Sequence, residues 1–316
     1  MEINLSKESL TILEALSSDT RINIIHSLSE KDKNIKDLSN ELFMSSAIVS
    51  RHIKKLEEAK LIKSYRIPGK FGSQKMCALA IEKLYITFPS VIYPKFSKHT
   101  QTIQLGHYTN YKVTPTCGLS TRNKVIGIPD DTMYFMDPER VKAEIIWFTS
   151  GFVEYKIPNL LKYNEKPEVL ELSFEISSEF PGSNDNWPSD ITFYVNDMEV
   201  GTWTVPGNYS DVRGKLTPNW WPDTNSQYGL LKNLRINSTQ TNMDGELISN
   251  TTINDIDFSE NLITFRFEVK DSAKNVGGLT IYGKSFGNYP QDIDCTLYYS
   301  QSLNDSNHEK EKSPKK

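Results

Sequence analysis

Cysteine is scarce in this 316-residue chain, which has only Cys77, Cys117 and Cys295. Three thiols so widely separated cannot supply a disulfide framework for a chain of this length, so a reducing compartment and a cytoplasmic protein are expected. Histidine is nearly as thin, and His26, His52, His99, His107 and His308 show no metal-ligand spacing. No metal is therefore expected, and Cys295, in phase with Ile293 and Leu297, reads as a small buried hydrophobe. No run approaches the roughly 18 apolar residues of a membrane-spanning helix. The opening Met1-Glu2-Ile3-Asn4-Leu5-Ser6 lacks the basic start and apolar core of a secretory signal. No membrane partner is expected, and the Asn-X-Ser/Thr triplets at Asn208, Asn237 and Asn250 read as ordinary loop residues. There is also no Ser/His/Asp nucleophile elbow and no glycine-rich phosphate loop, so neither a catalytic residue nor a cofactor is expected.

What is present suits a folded, two-domain protein. Hydrophobic residues make up 37% and charged residues 24% of the chain, with 5 Trp, 15 Tyr and 14 Phe. The net charge of -4 conceals a division: residues 1–85 hold 14 Lys and Arg against 11 Asp and Glu, and the remainder holds 22 against 29. Between residues 46 and 76 eight basic residues face only Glu57 and Glu58, a net charge of +6. A basic segment in an acidic chain fits a localised polyanion contact; a solvated helix face is the plainer alternative.

Over residues 1–85 the hydrophobic period is helical. Leu10, Leu13 and Leu16 form one stripe, and Ile22, Ile25 and Leu28, entered through Ser18 and Asp19, form a second. Leu38 and Leu42 follow Asn34 and Asp37, a capping-box-like start. A fourth helix is expected near Ser46 to Ala59, with Val49, Ile53 and Leu56 inward and Ser46, Ser50, Arg51, Lys54 and Lys55 on the opposite face. From Leu61 the period becomes two. Leu61 to Ile67 and Lys75 to Ile81 read as strands about the turn Pro68-Gly69-Lys70-Phe71-Gly72-Ser73. Three helices, a basic helix and a basic hairpin make a winged helix-turn-helix, which places the basic helix in the DNA major groove and the hairpin on the backbone.

The runs Asp19-Thr20-Arg21-Ile22-Asn23-Ile24-Ile25, Ile35-Lys36-Asp37-Leu38-Ser39-Asn40-Glu41-Leu42 and Val49-Ser50-Arg51-His52 within Ser45 to Ile62 resemble the ArsR-type winged-helix regulators. The resemblance covers about a quarter of the chain. It implies a homodimeric transcription regulator, usually a repressor, that binds double-stranded DNA through Ser46, Ser50, Arg51, His52 and Lys54; the basic helix and hairpin themselves add Lys55, Arg66, Lys70 and Lys75 as further expected contacts. His52 either touches DNA or packs at the helix-turn-helix seam. Two features depart from the family: the helix over Ile35 to Leu42 has none of the cysteines of its metal-sensing members, and Lys60 stands where a glycine is usual before the wing.

Beyond about Phe88 the pattern is β. Leu170, Leu172, Phe174 and Ile176, then Ile191, Phe193 and Val195, then Ile263, Phe265, Phe267 and Val269 alternate with polar residues. Asn196-Asp197 reads as a hairpin turn, and Pro138 opens a short helical turn leading into a strand. The fold class expected is α+β multidomain: an N-terminal winged helix-turn-helix over 1–85, a connecting segment over 86–110, a larger antiparallel β-sandwich of jelly-roll type over 111–303, and a disordered tail over 304–316.

Four of the five Trp lie between residues 187 and 221, among polar turn residues. Flat indoles beside planar polar side chains are what a sugar needs, which makes Trp187, Asp190, Asp211, Arg213, Trp220, Trp221, Gln227 and Tyr228 candidates for a carbohydrate-like effector. The sandwich loosely resembles the sugar-binding modules appended to carbohydrate enzymes. Core packing is the alternative for these Trp, Trp203 above all, and a purely dimerising or protein-binding module is the alternative for the domain. A glycoside-cleaving enzyme would need two carboxylates on one cleft; Glu171 and Glu175 share a strand face with Ser173 but read as a solvated one.

Overall fold

The structure, a computed structural model, describes residues 1–69, 72–88 and 96–301. Lys70 and the expected tail over 304–316 lie outside the described residues. The chain divides into two compact units, 1–93 and 94–316.

The first unit runs β1 (Glu2–Asn4), α1 (Leu10–Leu16), α2 (Asp19–Glu30), β2 (Lys33–Asn34), α3 (Ile35–Glu41), α4 (Ser46–Glu58), β3 (Ile62–Gly69), β4 (Gly72–Leu79) and β5 (Tyr85–Thr87). β3 and β4 form the antiparallel wing, with β2 on the outer side of β4, and β1 pairs with β5 in parallel. Val49, Ile53 and Leu56 are buried as their spacing predicts, against Ile24, Leu28 and Leu38. The stripe of α2 is turned from its expected setting. Ile24 and Leu28 are buried with Arg21, while Ile22 and Ile25 are only half-buried. The cause is Arg21, whose Nε and Nη2 donate to the carbonyls of Ala15 (2.6 Å) and Glu14 (2.7 Å), so that a charged side chain takes an inward position to close the end of α1.

Local chemistry sets the boundaries of α3 and α4. The Asn34 side chain accepts from the Asp37 N–H at the start of α3, and the Ser45 hydroxyl accepts from the Ile48 N–H at the start of α4. α4 ends as Leu61 N–H donates to Leu56 and Lys60 N–H to Glu57, which requires a left-handed residue between them. Lys60 supplies it at φ +56°, in the place where a glycine would meet no Cβ penalty.

The second unit contains β6 (Ser97–Ile103), β7 (Asn110–Ser120), β8 (Val125–Ile126), β9 (Ile145–Pro158), β10 (Glu165–Ser177), β11 (Ser189–Val195), β12 (Met198–Val205), β13 (Leu230–Ile236), β14 (Thr241–Met243), β15 (Glu246–Ser249), β16 (Leu262–Val269), β17 (Leu279–Tyr282) and β18 (Ile293–Gln301). One layer has the order β8-β7-β9-β16-β11-β12 and the other β6-β18-β10-β13-β14-β15, all antiparallel, while β17 pairs with both β9 and β10 and joins them. The layers face each other through their alternating apolar residues: the Phe174 ring of β10 lies 5.0 Å from Phe267 of β16 and 5.5 Å from Phe193 of β11. Asn196 and Asp197, at φ +47° and +63°, turn the β11–β12 hairpin as expected. Pro138–Lys142 is a helical turn leading into β9.

Two further expectations are corrected. The segment 86–110 is not merely connecting, because β6 pairs along its length with β18. Its sequence Ser97-Lys98-His99-Thr100-Gln101-Thr102-Ile103 hides this, since a polar edge strand shows little apolar alternation. Glu175 is not on a solvated face; it is fully buried, and its carboxylate accepts from the backbone N–H groups of Gly229 (2.8 Å), Asn288 (2.9 Å) and Tyr289 (3.0 Å). The loops carrying those residues cover this side of β10, a long-range contact that strand parity cannot register. Glu171, on the same face, pairs with Arg235 at 2.7 Å.

Candidate nucleic-acid interface and candidate ligand cleft

The amphipathic period of α4 buries Val49, Ile53 and Leu56 and thereby turns Ser46, Ser50, Arg51, Lys54 and Lys55 to solvent. Among the described residues Arg51, Lys55 and Arg66 have no side-chain hydrogen bond or ion-pair partner, which leaves their charge available to an anion. Lys54 approaches Glu58 only at 3.9 Å. The exposed Ser46 hydroxyl is engaged within the unit, accepting from Ser39 at 3.1 Å. Lys75, on the wing, is held by Glu57 of α4 at 2.9 Å, so its charge is partly neutralised. Arg66 stands directly opposite Lys75 across the hairpin and remains exposed. His52 is half-buried. Its burial, followed by the charges of Arg21, Lys55 and Arg51, holds its pKa below the usual imidazole range, so it is neutral at pH 7 and can donate or accept a hydrogen bond.

In the second unit the eight candidate effector residues do not form one site. Trp220 and Trp221 line a cleft of about 410 Å³, in the size range of small-molecule sites. Trp221 is 5% exposed and forms the floor, its Nε1 donating to the Ser226 carbonyl at 3.0 Å. Trp220 is 41% exposed at the wall, its Nε1 donating to the Arg122 carbonyl at 2.7 Å. Trp187 packs edge-on against Phe180, which lines the same cleft.

Three candidates have structural tasks instead. Arg213 donates to the carbonyls of Pro218 (2.8 Å) and Trp221 (3.2 Å) and pairs with Asp223, holding the loop that carries the two indoles. Gln227 is buried and donates to Pro222 (2.7 Å) and Asn225 (3.0 Å). Asp190 accepts from Asn275 and Thr204; burial raises its pKa, but these hydrogen bonds outweigh it and hold the carboxyl below its usual range. Asp211 and Tyr228, bonded at 2.5 Å, line a separate groove where the Tyr228 and Tyr209 rings stack at 5.4 Å. Trp203 is partly buried under the Lys232 ammonium, 4.2 Å above its ring.

Sequence reading missed half of the cleft. Trp147 on β9 meets Trp221 at 5.8 Å, and Thr116 on β7, Asp130 before a helical turn, Glu179 after β10 and Thr280 on β17 converge from four distant segments. No local spacing links these positions. Glu179 accepts from Thr280 at 3.0 Å and Thr116 at 3.3 Å. Burial pushes its pKa to about 8, aided by the charge of Asp130, against the pull of the two hydroxyls. Glu179 is thus mostly protonated at neutral pH. Among the described residues no group of three or more His, Cys, Asp or Glu is placed to hold a metal ion, and no helix is long and apolar enough to cross a membrane.

Residues 18–64 match the family model for the bacterial regulatory protein, arsR family. The segment is similar to an uncharacterized HTH-type transcriptional regulator of Methanocaldococcus jannaschii, 43% identical over 51 residues, which are 16% of this chain and 54% of that one. The chain thus spans about half the length of this curated relative. Among solved structures, HlyU from Vibrio cholerae is similar over 24% of this chain and 83% of its own, with 20% identity and a TM-score of 0.21. The CBM36-1 domain of a multidomain xylanase from the hindgut metagenome of Trinervitermes trinervoides is similar over 63% of this chain and 96% of its own, with 9% identity and a TM-score of 0.28.

Proposed function

Because residues 18–64 are an ArsR-family helix-turn-helix domain, we propose that the chain is a cytoplasmic transcription regulator that binds double-stranded DNA as a homodimer and acts as a repressor. The observation that carries this reading is the exposed face of α4, where Arg51 and Lys55 have no side-chain hydrogen-bond or ion-pair partner among the described residues and lie beside Ser50 and His52. Ser50, Arg51 and His52 read base edges, while Lys54, Lys55, Arg66 and Lys70 neutralise phosphates; Ser46 and Lys75, both engaged internally, contribute less. Exposed Leu5, Ile86 and Phe88, on and beside the β1–β5 pair, and exposed Leu10 at the start of α1 favour self-association. The β-sandwich senses a small carbohydrate-like effector in the cleft of Trp220 and Trp221, and the effector changes DNA affinity by binding the two states of the dimer unequally.

A gel-shift against the DNA upstream of the chain's own coding sequence tests this. A specific, salt-sensitive shift is expected, with Arg51→Ala weakening it about tenfold or more and lowering the salt slope by about one. Equal binding by wild type and Arg51→Ala would sink the assignment. One observation favours a second reading, cleavage of a glycoside: Glu179, protonated at neutral pH, shares the cleft with Asp130. Failure to turn over chromogenic glycosides, or turnover unaffected by Glu179→Gln, removes it.

A further inference from the structure

We propose that the cleft of the β-sandwich takes a ligand bearing a positively charged amine on a small apolar or sugar body, and that it selects this charge over a neutral ligand of the same shape. This rests on the sensing role proposed above and specifies its chemical class. The walls are aromatic and inclined to one another: Trp221 meets Trp147 at 70° and Trp220 at 82°, and Phe180 closes another side. Three indoles and a phenyl ring thus line one volume, and aromatic walls of this kind attract an organic ammonium. Charge points the same way. Asp130 and Glu179 line the cleft, and none of its described lining residues is Lys, Arg or His. A phosphate or carboxylate would meet the charge of Asp130, and that of Glu179 as well once it ionises, with no cation on the described lining to offset them. An ammonium satisfies both carboxyls and the rings together.

The groups facing Glu179 are few. Thr116 and Thr280 donate to it, and Asp130 acts on it through space. Asp130 is itself bonded to the Cys117 N–H at 2.8 Å and adjoins Asp131. Tyr282, which hydrogen-bonds Ser177, lies near enough to feel the charge of Glu179. No cation lies among these neighbours, so Glu179 keeps its proton at neutral pH until a bound ammonium supplies a counter-charge. It favours the ionised form of Glu179, and binding below pH 8 therefore releases a proton.

The test uses the full chain and two matched pairs of probes, choline with its neutral carbon isostere 3,3-dimethylbutan-1-ol, and glucosamine with glucose, followed by tryptophan fluorescence and titration calorimetry. The expected result is saturable binding of the charged member of at least one pair, at least tenfold tighter than its neutral partner. Its affinity rises several-fold between pH 6.5 and 7.5, with proton release seen as a buffer-dependent heat. Glu179→Gln, which keeps the shape and can still bond both threonines, abolishes the pH dependence and weakens binding tenfold or more; Asp130→Asn, which tolerates the φ of +67° at that position, weakens it independently. Equal binding of glucose and glucosamine overturns the charge inference and leaves the sugar-sensing reading intact. Silence from all four probes overturns the charge inference as well, and the sensing reading falls with it only if neutral oligosaccharides are also silent.

Discussion

Changing Glu179 to Gln should stabilise the β-sandwich at high pH and leave it unchanged at low pH. Burial raises the folded-state pKa of this carboxyl to about 8 from an ordinary 4.5. Below pH 4.5 the group is neutral in both folded and unfolded chains and has no effect on stability. Between 4.5 and 8 the folded state holds the proton that the unfolded state has lost, so stability falls as pH rises; above 8 the full difference has been lost. A shift of this size corresponds to about 5 kcal/mol at most, and partial relaxation of the site makes about 2 to 5 kcal/mol the expected range. Gln cannot ionise, and hydroxyls of Thr116 and Thr280 can turn to accept from its amide, so the variant lacks this loss. The assay is urea unfolding at pH 5 and pH 9, followed by fluorescence. All five Trp, at 147, 187, 203, 220 and 221, lie in the second unit, so the signal reports that unit alone. Parallel pH profiles for wild type and variant would refute the reasoning. Glu175 is the built-in contrast. Its partners are backbone N–H groups of Gly229, Asn288 and Tyr289, donors that cannot reverse, so the Glu175→Gln amide nitrogen is set against them and costs about 1–3 kcal/mol at pH 5.

Lys60→Gly should stabilise the winged helix by about 1 kcal/mol, because a side chain at φ +56° bears a steric penalty larger than the extra freedom glycine gains on unfolding; the helical circular dichroism melt of the first unit would rise, and an unchanged or lowered melt would contradict the assignment of strain. Phe174→Ala should cost the sandwich about 3–5 kcal/mol, since the ring is fully buried between Phe193 and Phe267 from the facing layer. Urea unfolding by tryptophan fluorescence would show it as a lower midpoint at unchanged slope.

The helix-turn-helix was legible because its information is local. Val49, Ile53 and Leu56 at spacings of four and three dictate which side of α4 is buried, and that alone turns Arg51 and Lys55 to solvent. The Asn34 and Ser45 caps lie within three residues of the groups they satisfy, and the Asn196-Asp197 turn is a property of two adjacent residues. Even here a non-local bond intervened, as Arg21 reached back to the end of α1 and shifted the inward face of α2. The cleft is the opposite case. Trp220 and Trp221 announced themselves by composition, but composition could not separate Trp221 as floor from Arg213 and Gln227 as loop supports. Thr116, Asp130, Trp147 and Glu179 meet there only because β7, β9, β10 and β17 are neighbours in the folded ladder. The sequence by itself thus determined the α+β class, the exposed basic face of α4 and the apolar phase of the main strands, all written in periods of 3.6 and 2. Tertiary structure alone decided that Glu175 is buried, that β6 is an edge strand, and that two carboxyls face three indoles. Desolvation and through-space charge depend on which distant segments pack together, and no period along the chain records that.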